Sequence, residues 1–548
     1  MSRTEKLLLA LLLAVQTAAI AYQVRAVGLT VDEPSHMVSA YMYWRGEDRL
    51  KPGDMPPFIK LLGGWPSLLL APPLPVDSPA WAAGHEWNIG SDMLNAMPPA
   101  EISRWIDWSR APFVLIAPLV TLLLWLWARR LWDPRVALML AALWALEPTA
   151  LGHAALFKND LSATLGYLAF WYAAWRFWQA PGWRGALWVS LALCLALWTK
   201  LSMLVLLPVA PLLLAIRALT GRRWRAAALW PSACLLIAYG LCSAACQFEM
   251  RRLLYGETRI LHLPTAARAL PLPARYVDGT LSLISENKSV NLVYLFGEQR
   301  PGGDRRYFLS ALALKSPLPL LLLLAASLVL AARARGFSAR APAAFFLLFP
   351  PVYYFGLASL STLQLGYRLV LPAVPFLILI CGMALERALL ARRPWIPAAA
   401  LVWTAVSVLS QYPYTISYFN DFAPSLDRRI HALSDSNLDW GHGLPALRQW
   451  CLRHQVRRIR LSFFGNDPPH RLFPDEENMV ELVAPPWNDA LARGLELHPE
   501  PGIWAISATL LTGQFFSGKY RNYYRAFRDR QPDDVVAGSI LIYRIPER

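Results

Sequence analysis

Eleven apolar runs follow one another through the first three quarters of this 548-residue chain. They lie near 7–27, 112–128, 136–151, 161–178, 185–199, 202–219, 226–246, 317–332, 343–361, 369–390 and 395–411. Apolar stretches of about 18 residues with few charges suit the hydrocarbon core of a bilayer, not the interior of a soluble domain. Composition agrees: 56 % of residues are hydrophobic, 24 are Trp, and the mean hydropathy is +0.33. The pattern predicts an α-helical polytopic membrane protein with about eleven transmembrane helices.

The formal net charge of +16 invites a nucleic-acid reading, but its distribution excludes one. From Tyr412 to the C-terminus 16 basic residues balance 16 acidic ones, so the whole excess lies in 1–411. There it sits in short gaps between apolar runs: "WARRLWDPR", "WRFWQAPGWR", "RALTGRRWR", "ARARGFSAR" and "ERALLARRP". Arg-rich, acid-poor gaps are cytoplasmic by the positive-inside rule. Together with "SRTEK" at the start, they place the N-terminus inside and the C-terminus outside. The start of the chain resembles a signal peptide, and the long apolar run favours an uncleaved first helix. None of the six cysteines forms a CxxC pair, and no disulfide framework is expected.

The alternate gaps then face the exterior, which is the periplasm in a Gram-negative bacterium. The first external loop spans about 28–111. The second reads "GHAALFKND", the third "WTKLS" and the fifth "STLQLGYR"; the fourth is long, about 247–316. Residues 1–411 form the membrane module and 412–548 an extracytoplasmic domain. In that domain "GLPALRQWCLRHQ" is helical by spacing. "RRIRLSFFG", "MVELVA", "GIWAISATLL" and "GSILIYRIP" read as strands of a small α/β fold.

Ionisable residues in a membrane protein are costly and mark function. Here they gather at the external ends of the helices. The acids are Asp32, Glu33, Glu147 and Asp160; the bases are Lys60, Lys158, Lys200, Lys315 and Arg368; His36 and His153 lie nearby. Each alone has a plainer reading. A carboxylate pair at a helix exit is solvated or caps the next helix, Lys200 snorkels, and the histidines are hydrogen-bonding groups. Their convergence at one depth on one side points instead to a reaction site at the outer surface.

Lys and Arg suit a phosphate, and the apolar bundle suits a lipid tail. A lipid phosphate satisfies both. A carboxylate beside an acceptor hydroxyl serves as general base while the hydroxyl attacks a sugar carbon. A divalent metal on the acids is the competing idea, but there is no HExxH or dense ligand motif.

"VDEPSHM" with "MPPFIK" resembles the Asp-Glu first loop and the following Pro-Pro-x-x-Lys element of the protein O-mannosyltransferase-like GT-C glycosyltransferases. These membrane enzymes use polyprenyl-phosphate sugars. "HAALFKNDLSATLGYLAF", "WTKLSMLVLLP", "YFLSALALKSPLPLLLL" and "GYRLVLPAVPFLIL" resemble later elements in the same order. "YPYTISYFNDFAP" and "SDSNLDWGHGLPALRQW" resemble a feature of bacterial members.

The resemblance implies an inverting transfer from a polyprenyl-phosphate carrier to a hydroxyl acceptor at the external face. Asp32 would be the general base, with Glu33 as its support and Asp160 as the second-loop acid. Lys60, Lys158, Lys200 and Arg368 would contact the donor phosphate. His36, His153 and Glu147 would support the site. Met55 stands where related lipid A aminoarabinose transferases have Lys and eukaryotic protein mannosyltransferases usually have His. Neither acceptor is therefore implied.

"DSNLDWG" resembles the start of an EF-hand loop, but Trp440 and Ala446 occupy positions that need Gly and Glu, so calcium is rejected on that route. Asp435, Asn437 and Asp439 read as a structural turn or an acceptor-side surface. The rival classes are a transporter or flippase for a lipid-linked saccharide, a polymerase or ligase sharing the same external site, and a non-catalytic scaffold.

Overall fold

The structure is a computed structural model and describes residues 2–47, 50, 55–288, 292–333, 341–473, 479–516 and 518–547. Most of the Arg-rich gap "ARARGFSAR" lies outside the described residues. Among the described residues six helices are long and apolar enough to cross a membrane: Arg3–Ala26, Pro99–Leu131, Leu201–Thr220, Trp224–Ala245, Ala343–Leu360 and Tyr367–Leu390. The chain is therefore an integral membrane protein. Two helix pairs pass the same test together: Pro134–Ala145 with Pro148–Ala154, bent by 58°, and Tyr307–Lys315 with Leu318–Arg333, bent by 116°. They raise the number to eight. Trp183–Thr199 and Trp395–Leu409 are apolar but shorter, and Asp160–Gln179 is a 20-residue helix that opens on an acid. Each predicted span thus coincides with a helix, though not every helix is long or apolar enough to cross alone.

The two bends have a local cause. Pro148 and Pro317 cannot donate the backbone bond that would continue the preceding helix, and each disfavours helical geometry in the residue before it. The breaks leave Glu147 and Lys315 at kinks, where side chains reach partners off the helix axis.

The segment 28–111, expected from sequence to be an external loop, is helical over much of its length. It holds Glu33–Trp44, Pro57–Leu70, Pro79–Ala83, Glu86–Ala96 and Pro99–Arg110. Four of these five have proline in their first two positions, where the missing N–H costs nothing and the fixed φ suits the helix. The Pro56-Pro57 pair is thus a helix start.

The C-terminal module is built on a five-stranded mixed sheet. Its strand order is Val480–Leu482, Ile459–Ser462, Gly502–Ser507, Ile540–Ile545, Asp534–Val536. The first three strands run parallel and the last two pairings are antiparallel. Alternation sorts its side chains into two faces. Ala505, Ile540 and Ile542 pack under the helix Leu444–Arg453 through Leu444, Leu447, Trp450 and Cys451. Trp504, Ile506, Leu541 and Tyr543 belong to the same apolar cluster as the membrane helices. The strand read through "GIWAISATLL" ends at Ser507, and Ala508–Leu511 turns into a short helix. The edge strand Asp534–Val536 has no apolar alternation and was not legible.

Candidate active site

The site begins where the first helix leaves the bilayer. Glu33 opens its helix with Pro34 directly after it, a place where the helix dipole favours a carboxylate. It is fully buried against Arg110, with Nε donating to Oε1 at 2.8 Å and Nη2 to Oε2 at 2.7 Å. The backbone N–H groups of Thr30 and Phe157 and the Thr30 hydroxyl donate to the same carboxylate at 2.8, 2.8 and 3.0 Å. Burial pushes the Glu33 carboxyl up, but the Arg110 charge and these donors outweigh it and hold it below its ordinary value. Arg110 also donates to the carbonyls of Val24, Val27 and Gly28 at 2.8–3.0 Å, capping the C-terminal end of the first helix. Glu33 therefore ties the first helix, the first loop and the 157–160 loop together, and its neighbour Asp32 inherits a fixed position.

Asp32 faces the cations. It is ion-paired with Lys158 and lies 3.9 Å from Arg368. Asp160, the first residue of its helix, is fully buried and holds Lys200 at 2.6 Å and Arg368 at 3.4 Å. Lys200 is presented by extended backbone between the helix Trp183–Thr199 and the turn that follows. Two acids thus hold three cations in one alternating cluster. His36 Nδ1 lies 3.4 Å from the Phe157 carbonyl and Nε2 lies 3.4 Å from Lys158 Nζ, an arrangement that fits a ring donating through Nδ1 and accepting at Nε2. Burial lowers the Lys158 ammonium below the ordinary lysine range, with Asp32 opposing.

The C-terminal module forms one wall. The Trp440 ring lies under the Arg368 guanidinium at 4.2 Å and near Lys158 at 5.4 Å, so both cations face an electron-rich aromatic surface. Arg368 Nε donates to Ser436 Oγ at 2.9 Å. Gly366, at φ 155°, permits this approach: a Cβ there would fall 2.1 Å from Ser436 Oγ. Lys315, at the 116° bend, donates to the carbonyls of Ile416, Tyr418 and Asn437. Asn437 accepts from Tyr367 N at 2.8 Å and donates to the Tyr307 hydroxyl at 2.9 Å. The same module grips the stretch leading into Asp32. Gly28 N donates to the His442 carbonyl at 2.9 Å, Val31 N to the Trp440 carbonyl at 3.1 Å, and Asn466 to the Val31 carbonyl at 2.6 Å.

Two adjoining hollows result. The first, of about 530 Å³, is lined by Asp32, Lys158, Lys200, Arg368, Asp435 and Trp440, with Glu86, Trp87, Phe464 and Phe515 also in its wall. The second, of about 410 Å³, is an apolar groove that includes Leu201, Val205, Leu283, Ile284, Leu357 and Leu363. Lys200, Leu283 and Leu369 line both. A charged chamber therefore opens directly onto an apolar groove.

The structure brings Asp32, Lys158, Lys200 and Arg368 into the chamber wall, with Asp160 pairing from behind. It does not bring Lys60 there. That lysine is buried in Pro57–Leu70 with Nζ 3.5 Å from the Leu50 carbonyl, so it is not placed to meet a ligand in the chamber. Glu33 is in the anchor described above, not in the wall. Glu147 accepts from Ala150 N and caps the helix Pro148–Ala154. His153 Nδ1 donates to the Thr149 carbonyl, 2.9 Å away, and its ring lies beside Trp440 at 5.6 Å. Neither lines the chamber. Sequence reading passed over Arg110, Trp440 and the wall residues Phe464 and Phe515. Arg110 had one available signal, as a basic residue directly before an apolar run. Asp435 was read as a structural turn or acceptor-side surface, and it does line the chamber. Among the described residues no group of three or more His, Cys, Asp or Glu is arranged to hold a metal ion.

Residues 106–246 match the family model of dolichyl-phosphate-mannose-protein mannosyltransferases. This match bears out the resemblance to GT-C membrane glycosyltransferases that the motifs carry. No curated protein sequence matches the chain. Among solved structures, similarity is found to ArnT from Cupriavidus metallidurans. Its apo form is 13 % identical, with a TM-score of 0.49 and 97 % of each chain covered. Its undecaprenyl-phosphate-bound form is 14 % identical, with a TM-score of 0.46 and 99 % and 98 % covered. The Archaeoglobus fulgidus oligosaccharyltransferase is 12 % identical with a TM-score of 0.43, over 90 % of this chain and 66 % of its own.

Proposed function

We propose that this protein is a GT-C-type glycosyltransferase. It moves a sugar from a polyprenyl-phosphate carrier to a hydroxyl acceptor at the external face of a bacterial plasma membrane. The observation that carries the reading is the continuity of the two hollows. Lys158, Lys200 and Arg368 converge in one chamber, and Lys200 stands at its border with an apolar groove. A phosphate with a long isoprenoid tail is the ligand class that uses both at once.

The mechanism follows from the charge cluster. The cations are compensated by Asp32 and Asp160. A donor phosphate entering among them competes for Lys158 and Arg368 and loosens their hold on Asp32. The freed carboxylate accepts the proton of the acceptor hydroxyl. The hydroxyl oxygen attacks the anomeric carbon from the side opposite the phosphate, so the configuration inverts. The carbon–oxygen bond to phosphate breaks with its electron pair, and the same three cations stabilise the charge that develops. Asp160 stays paired throughout and fixes Arg368 and Lys200. Glu33 acts at a distance, by locating Asp32.

The test is transfer by the purified protein from a panel of polyprenyl-phosphate sugars to membrane lipid, glycan and protein acceptors. The readouts are labelled product and released polyprenyl phosphate. Equimolar appearance of both supports the reading. Movement of intact donor across proteoliposomes without cleavage would instead identify a flippase.

A further inference from the structure

Besides Asp32, the chamber wall holds three carboxylates that this mechanism does not use, Glu86, Glu286 and Asp435, and of these only Asp435 is buried. Asp435 lies in the segment after the last apolar helix, between Ser434 and the Ser436 that holds Arg368. It lines the chamber with Asp32. Its backbone is at φ 56°, the left-handed region that costs a non-glycine residue about 1 kcal/mol or more and tends to persist at functional sites. It is 5 % exposed. Arg368 is committed to Asp32 and Asp160, and among the described residues no ion pair reaches Asp435. Its carboxylate accepts from the Ser436 backbone N–H and its carbonyl accepts from Leu438 N and Asp439 N, which accounts for its place in the turn but supplies no direct counter-ion where it faces the chamber.

Asp32 and Asp435 differ in environment. Asp32 touches an ammonium and faces a guanidinium, so any proton it takes is held weakly. Asp435 feels Arg368 at longer range and is faced by Asp32, Asp439 and Tyr307, with Lys158, Lys200, Glu86 and Glu286 elsewhere in the chamber wall. Burial pushes its carboxyl up to about 7, with Arg368 opposing and the negative charges of Asp32 and Asp439 adding. Paired carboxylates pushed apart in this way divide acid and base roles between them.

Resting on the transfer reaction above, we propose that Asp435 is the residue on which the reaction proton comes to rest, taken over from Asp32 after the acceptor hydroxyl is deprotonated. The step balances. The hydroxyl O–H bond breaks and its oxygen bonds the anomeric carbon. The bond from that carbon to the donor phosphate breaks, and its electron pair leaves with the phosphate. The proton passes to Asp32 and then to Asp435. One negative charge is lost at Asp435 as one is gained on the phosphate, so Asp32 returns to its ionised, Lys158-paired state.

The experiment measures kcat and donor KM between pH 5.5 and 8.5 for the full-length wild type, Asp435→Asn, Asp435→Gly and Asp32→Asn. Glycine suits a φ of 56°, so Asp435→Gly removes the carboxylate without straining the fold. The wild-type kcat should rise with pH and bend near 7. Both Asp435 variants should lose that bend and fall roughly 100-fold in kcat, with donor KM within about twofold because phosphate contacts are untouched. Asp32→Asn should be inactive throughout. Wild-type kcat with the same bend in either Asp435 variant overturns the proposal. Full activity of Asp32→Asn removes the underlying mechanism instead, so the two failures are distinct.

Discussion

Arg110→Met isolates the anchor that positions Asp32. Arg110 and Glu33 are both fully buried, joined by two hydrogen bonds of 2.7–2.8 Å. Removing the arginine leaves a carboxylate in the interior with only backbone and hydroxyl donors, and leaves the Val24, Val27 and Gly28 carbonyls without their partner. Breaking a buried ion pair on one side costs about 3–5 kcal/mol. The double variant Glu33→Leu/Arg110→Met removes the stranded charge but not the stranded carbonyls. It should therefore recover part of the loss, with a coupling of about 2 kcal/mol. The assay is unfolding in mixed micelles titrated with a denaturing detergent, for the wild type, both singles and the double, with transfer activity measured on each. Arg110→Met should lose stability and activity together. A single variant within about 1 kcal/mol of wild type, or a double whose cost is the sum of the singles, refutes the anchor argument.

Other consequences can be checked separately. Arg368→Lys keeps the charge but loses the planar contact with Trp440 at 4.2 Å and the fork to its partners; donor KM should rise roughly tenfold in initial-rate measurements, the equivalent of about 1.4 kcal/mol. Lys315→Met leaves three buried carbonyls unsatisfied and should cost about 3 kcal/mol, with faster proteolysis in the 412–437 segment. Leu283→Trp fills the border between groove and chamber; it should raise the KM of a long-chain donor roughly tenfold through crowding and change that of a short-chain analogue less.

The membrane helices were legible because apolar length is a strong signal. The short helices of the first loop were not read, although Pro34, Pro57, Pro79 and Pro99 mark four of their starts. Their apolar residues are too few and too interrupted to stand out from loop. Asp32, Lys158, Lys200 and Arg368, which line the chamber, were singled out because each lies beside the end of an apolar run. Lys60 lies far from any of the eleven apolar runs, was assigned through the Pro-Pro-x-x-Lys resemblance, and its ammonium faces the Leu50 carbonyl, because a local motif does not determine which way a side chain turns. Trp440 and Asp435 reach the chamber through a fold-back of more than twenty residues after the last helix. Only tertiary structure shows that. The strained φ of Asp435 has no sequence signature, because aspartate in a polar stretch reads as an ordinary turn residue.

The central claim is that Asp32 takes the acceptor proton in a transfer from a lipid-linked sugar. The most direct measurement is single-turnover transfer with the donor that the panel identifies, using saturating donor and comparing wild type with Asp32→Asn of equal thermal stability. The account predicts tight donor binding by both proteins, product and free polyprenyl phosphate from the wild type, and a rate lower by about 10²–10⁴-fold or more in the variant. Equal single-turnover rates in the two proteins would contradict it.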